Sequence, residues 1–79
     1  MRITVLCFAH TRELTGASTL AFELPEGDTL AALAATLHRA HPGLSKVALR
    51  YALNREFASG EHPLKDGDEV ALIPPVAGG

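Results

Sequence analysis

The residues with the plainest capacity for chemistry are the last two, Gly78 and Gly79, and the run that leads to them, Val70-Ala71-Leu72-Ile73-Pro74-Pro75-Val76-Ala77. A free α-carboxyl titrates near ~3.3–3.7, so at neutral pH the Gly79 carboxylate is an oxygen nucleophile. Such a group can attack the α-phosphate of ATP to give an acyl-adenylate, and a sulfur donor can then open that mixed anhydride. Neither glycine has a side chain, so the terminus could pass along a channel too narrow for a Cβ. The plain alternative is a frayed end, where order is usually lost. Against it stands the approach to the glycines. Val70–Ile73 are apolar and mostly branched, as a strand requires. Pro74 has no N–H for a ladder, so pairing stops there. Pro74-Pro75 then favours a stiff, extended course. The six residues from Pro74 to Gly79 can reach roughly 20 Å.

Other groups offer little. Cys7 alternates with apolar neighbours and reads as a small buried hydrophobe, not a nucleophile. His38 and His41 share a helical face at i, i+3, but no third ligand joins them, while His10 and His62 fall in loops. Gly16, Gly27 and Gly43 mark turns, and no phosphate-binding glycine pattern is present. Asp66, Asp68 and Glu69 read as a solvated turn. No acid–base pair or Ser/His/Asp arrangement is evident, so no stand-alone active site and no metal site is expected.

The elements that must hold the tail follow from pattern. Seventy-nine residues make one small domain, and 47% apolar against 20% charged residues favours a folded chain. A net charge of −2 gives no basic footprint for nucleic acid. No apolar run is long enough to span a membrane, and strand-like Met1-Arg2-Ile3-Thr4 leaves no room for a signal peptide. One cysteine cannot form an internal disulfide. A cytoplasmic protein is expected.

Residues 2–9 alternate as a first strand, with Ile3, Val5, Cys7 and Ala9 on one side and Arg2, Thr4, Leu6 and Phe8 on the other. A polar connection follows, with a short helical turn near Thr11–Leu14, and then a second strand over 19–24. Thr29 is the expected N-cap of the main helix, Leu30 to about Ala40, whose Leu30, Leu33, Ala34 and Leu37 form one apolar stripe. His41-Pro42-Gly43 ends it. Residues 44–48 are ambiguous, a turn or a short helix. A third strand is expected over 49–53, a turn at Asn54-Arg55, a very short fourth strand over 56–58, and a last strand over Glu69–Ile73 after the Lys65-Asp66-Gly67-Asp68 turn.

One main helix can cover only one face of the sheet. The class is therefore α+β, a mixed sheet of four to five strands with a helix on one face. Setting the first and last strands side by side, which spacing alone does not dictate, gives the β-grasp, ubiquitin-like layout. Residues 1–75 form its body and 76–79 a flexible tail. In that layout Val70 and Leu72 face the helix, while Leu6, Phe8, Ala71 and Ile73 share the open face, with Phe57 near, as a docking patch beside the tail. Scattered surface apolars are the ordinary alternative.

Three segments carry a resemblance: Phe8-Ala9 with Arg12-Glu13-Leu14-Thr15-Gly16, then Leu53-Asn54, then Pro63-Leu64-Lys65-Asp66-Gly67-Asp68-Glu69-Val70-Ala71-Leu72-Ile73-Pro74-Pro75-Val76-Ala77-Gly78-Gly79. Together they resemble the small subunits of molybdopterin synthase, over essentially the whole chain. Leu53 and Ala58-Ser59 stand where that family often has more branched or bulky residues. The resemblance implies that a ubiquitin-activating-type enzyme spends ATP to adenylate Gly79. A sulfur donor then makes a C-terminal thiocarboxylate. With Gly78 as the slim approach, the tail inserts into the large subunit and sulfur passes to cyclic pyranopterin monophosphate, within a heterotetramer. It further implies that Phe8, Phe57 and Ile73 contact the large subunit, with Pro74, Pro75 and Val76 leading inward, and that the carrier binds no cofactor itself. Carriers for thiazole synthesis share the chemistry but tend to be shorter and lack the Pro-Pro-Val-x-Gly-Gly run. A ubiquitin-like protein modifier, and an interaction domain with an inert tail, are the other readings.

Overall fold

The computed structural model describes residues 1–75. Its elements are β1 (Arg2–Cys7), α1 (His10–Thr15), β2 (Thr19–Glu23), α2 (Leu30–Ala40), a 3-10 turn (Pro42–Lys46), β3 (Arg50–Leu53), β4 (Glu56–Phe57) and β5 (Glu69–Ile73). The main helix and last strand match their expected bounds. The ambiguous stretch after α2 is the 3-10 turn, into which Gly43 is absorbed without needing positive φ. The expected first strand is two residues too long. Phe8 and Ala9 leave it because the chain turns at once, with the Thr11 N–H donating to the Phe8 carbonyl at 3.0 Å.

One five-stranded sheet has the order β2-β1-β5-β3-β4. β1 and β5 pair in parallel at its centre, Thr4 opposite Glu69 and Cys7 opposite Leu72, and the other neighbours are antiparallel. Strand period assigns the faces. Ile3, Val5, Val70 and Leu72 are wholly buried on the helix side, where they meet Leu30, Leu33 and Leu37 of α2. Each such side chain contributes roughly 1.5–3 kcal/mol by leaving water. Leu44 and Leu64 are buried in the same core.

The start of α2 shows how loops complete the scaffold. A helix leaves its first N–H groups without internal partners. Here the Ala32 N–H donates to Thr29 Oγ1 at 3.3 Å. The Leu30 and Ala31 N–H groups donate to the carbonyls of His62 and Gly60, both at 2.9 Å. A Cβ on Gly60 would stand 3.2 Å from that of Ala31, so a side chain there would require the loop or helix to give by a few tenths of an ångström.

Candidate functional site

The helix-free face of the sheet and the root of the tail form the candidate site. Residues directly opposite in a sheet share a face. Register therefore draws one row across the open side: Leu6, Ala71, Ala52 and Phe57. One step further along β5, Ile73 stands opposite Arg50. The chain then continues into Pro74, half-buried, and Pro75, exposed. Phe8 follows the Cys7–Leu72 pair at this same end. Among the described residues, Phe8 (49%) and Phe57 (57%) are the large apolar side chains left exposed. The structure thus places Ile73, Pro74 and Phe8 at one end of the sheet, with Phe57 one row back, level with Ala71. Val76, Gly78 and Gly79 lie outside the described residues.

Phe8 is held by a residue that pattern reading passed over. Thr11 is fully buried, and its hydroxyl works in both directions. Oγ1 accepts the Phe8 N–H at 2.8 Å and donates to the Phe8 carbonyl at 2.7 Å. Between them Ala9 adopts φ 49°, ψ −119°, the conformation of the second residue in a type II′ turn, which normally selects glycine. The α1 helix begins at the next residue, so the turn both stops the strand and fixes where Phe8 leaves it.

Phe57 is placed by a two-residue hairpin. Asn54 and Arg55 have φ 49° and 75°, as a type I′ turn needs. Asn54 suits this position, and its side chain also ties the hairpin to the start of β5. Nδ2 donates to Asp68 Oδ1 at 2.9 Å, and Oδ1 accepts the Glu69 N–H at 3.0 Å. Asp68 Oδ2 also accepts the Lys65 N–H, and Asp66 accepts the Arg2 N–H, each at 2.7 Å. These aspartates, read from sequence as ordinary surface charge, pin the turn before β5 to its neighbours. A Lys-Asp-Gly-Asp turn feeding a central strand was the available signal.

The Arg50 guanidinium lies 3.8 Å above the centre of the Phe57 ring. Leu49, Arg50, Tyr51, Phe57, Ala58 and Ser59 line an open hollow of about 390 Å³ beside it. Burial raises the Tyr51 phenol above its ordinary pKa, so it stays neutral and able to donate a hydrogen bond. Cys7 is buried in the core, as its alternation suggested. The His38 ring sits 2.7 Å from the Ala34 carbonyl and His62 lies beside the Pro63 carbonyl, so the structure does not gather the histidines. Among the described residues, no three His, Cys, Asp or Glu side chains cluster to hold a metal ion, and no helix is long and apolar enough to cross a membrane.

A five-stranded mixed sheet of this order with one main helix is the ubiquitin-like β-grasp, here with an apolar open face at the root of a glycine-ended tail. The model of the ThiS family matches residues 5–79. The chain is 45% identical to the molybdopterin synthase sulfur carrier subunit of Chlamydomonas reinhardtii, covering 100% of both. It is 44% identical to that of Escherichia coli, over 98% of this chain and 99% of the relative. Among solved structures, small archaeal modifier protein 1 of Haloferax volcanii superposes with a TM-score of 0.87 at 28% identity, over 95% of this chain and 98% of the other. Subunits 1 and 2 of the molybdopterin-converting factor of Helicobacter pylori form a complex whose matching chain gives 0.74 at 29% identity, with full coverage of both. The chain belongs to the ThiS family, among the molybdopterin synthase sulfur carrier subunits.

Proposed function

We propose that this protein is the sulfur-donating small subunit of a molybdopterin synthase. The Gly79 carboxylate attacks the α-phosphorus of ATP on a ubiquitin-activating-type partner, with pyrophosphate as leaving group. A sulfur donor then attacks the acyl carbon and AMP departs, leaving a thiocarboxylate. The open face docks on the large subunit, the tail enters it, and the thiocarboxylate sulfur attacks cyclic pyranopterin monophosphate. Water then cleaves the acyl–sulfur bond and returns the Gly79 carboxylate. Substrate binding and proton transfers belong to the large subunit.

The observation that carries this reading is positional. Ile73 and Phe8, apolar and incompletely buried, lie at the end of the sheet where β5 hands over to Pro74, and exposed Phe57 stands one row back on the open face that Ile73 shares. A partner that covers this end also receives the tail. The test is a single-turnover transfer, in which the chain carrying a C-terminal thiocarboxylate is mixed with the large subunit and the cyclic pterin. Molybdopterin should form, and a chain lacking Gly79 should fold but give none. Normal transfer by the truncated chain would sink the proposal. The likeness to a protein named as an archaeal modifier gives a second reading, attachment of Gly79 to lysine. Lysine conjugates that survive reductant in lysate, with no product in the transfer assay, would favour it.

A further inference from the structure

Charge on the open face is unevenly placed. Arg2 of β1 and Glu23 of β2 are 3.8 Å apart, at the end of the sheet remote from the tail. Glu69 begins β5 at that same remote end, opposite Thr4. At the tail end, among Leu6, Ala71, Ala52, Ile73 and Phe57, the strands contribute a single charge, Arg50. It is exposed and, among the described residues, has no ion-pair partner. One face of its guanidinium rests on the Phe57 ring. Stacking of this kind fixes the plane of the group and leaves its in-plane N–H donors directed outward.

A docking partner that covers Phe57 must also cover this guanidinium. Arginine cannot shed its proton to escape burial, since its pKa exceeds ~12. A covered and unmatched charge opposes binding, whereas a carboxylate matches the forked donors with two parallel hydrogen bonds. The hollow beside the ring, lined in part by Arg50 and Ser59, has room for an acidic side chain.

We infer that Arg50 is a specificity-determining residue of the docking face, and that the surface it meets is apolar with one carboxylate that enters the hollow beside Phe57. This rests on the large-subunit reading above, and it adds which chemistry that subunit must present. Phe57 supplies contact area, while Arg50 decides which apolar surfaces are accepted.

The test is calorimetric titration of the full chain with the large subunit, with a thermal melt of every variant. Arg50→Gln should weaken binding about tenfold and Arg50→Glu about a hundredfold, with Arg50→Lys between parent and Arg50→Gln. An acidic-to-lysine change in the partner should bind Arg50→Glu better than it binds the parent. Added salt should weaken the parent more than Arg50→Gln. Should Arg50→Glu fail to fold, Arg50→Gln and its salt dependence decide alone. Binding of the folded variants within about twofold of the parent overturns the inference while leaving the large-subunit reading intact. A parent chain that does not bind the large subunit overturns both. If the substitutions alter only self-association in sedimentation, the occupant is a second copy and the inference is overturned.

Discussion

The two faces of the sheet are made from the same strands, often from adjacent residues, yet they serve different ends. Val70 and Leu72 of β5 are wholly buried under α2, while Ala71 and Ile73 between and beyond them remain half-buried on the open side. On β1, Val5 and Cys7 point into the core while Leu6 does not. The helix side is satisfied within the chain. The open side has apolar area that nothing among the described residues covers, with Phe57 exposed on it and Phe8 exposed where β1 ends. Substitutions a single residue apart should therefore divide into those that unfold the protein and those that leave it folded without its partner.

The largest effect belongs to the covered face. Leu72→Ala should cost about 2–5 kcal/mol, because the site is fully packed between β1, β3 and the helix and cannot collapse around the void. Denaturant melts measure this directly, and a loss under about 1 kcal/mol would mean that the core is far looser than its burial implies. On the open face, Phe57→Ala should change stability by no more than about 1 kcal/mol, mostly the lost stacking with Arg50. Its affinity for the large subunit should nonetheless fall by about thirtyfold, the scale of an interface anchor. Equal affinity for parent and variant would remove Phe57 from the interface and the two-face distinction with it.

How much of this was legible in the sequence divides along the same line. The alternation of Ile3, Val5 and Cys7, the stripe of Leu30, Leu33 and Leu37, and the Thr29 cap follow from side-chain periodicity, which is local. The parallel pairing of β1 with β5 is not local, and it came from the ubiquitin-like layout instead of from spacing. Phe8, Phe57 and Ile73 could be proposed from resemblance and from alternation in the β-grasp layout, but the row that sets Phe57 level with Ala71, one step from Ile73, depends on register. What escaped entirely were polar residues whose role depends on a distant or folded-back partner. Asn54 reaches across 14 residues to Asp68, and Arg50 stacks on a ring across a hairpin. Thr11 grips the backbone of Phe8 only because the chain turns sharply between them.

That grip ties a buried side chain to an exposed one, and it should yield an intermediate effect. Thr11→Val keeps the shape but removes the hydroxyl that serves both the N–H and the carbonyl of Phe8. The expected cost is about 1–2 kcal/mol, since one N–H loses its partner beside a buried side chain. If Thr11 also positions Phe8, affinity for the large subunit should fall several-fold beyond what the melt explains, and Thr11→Ser should restore both quantities. Loss of stability with unchanged affinity in the folded fraction would confine Thr11 to the scaffold.

The smallest effect should come from the turn itself. Ala9 holds a positive φ that L residues with a Cβ avoid, at a turn position that favours glycine. Ala9→Gly relieves that strain but also loosens the unfolded chain, which offsets part of the gain. A net stabilisation of about 0.5–1 kcal/mol is expected. Because the observed dihedrals are already those glycine prefers, Phe8 should keep its place and binding to the large subunit should not change. A destabilised Ala9→Gly variant would mean that the Ala9 methyl group makes a contact worth more than the strain it imposes. A stabilised variant that binds more weakly would be the more informative failure. It would show that the strain, and not only the position of Phe8, belongs to the docking face.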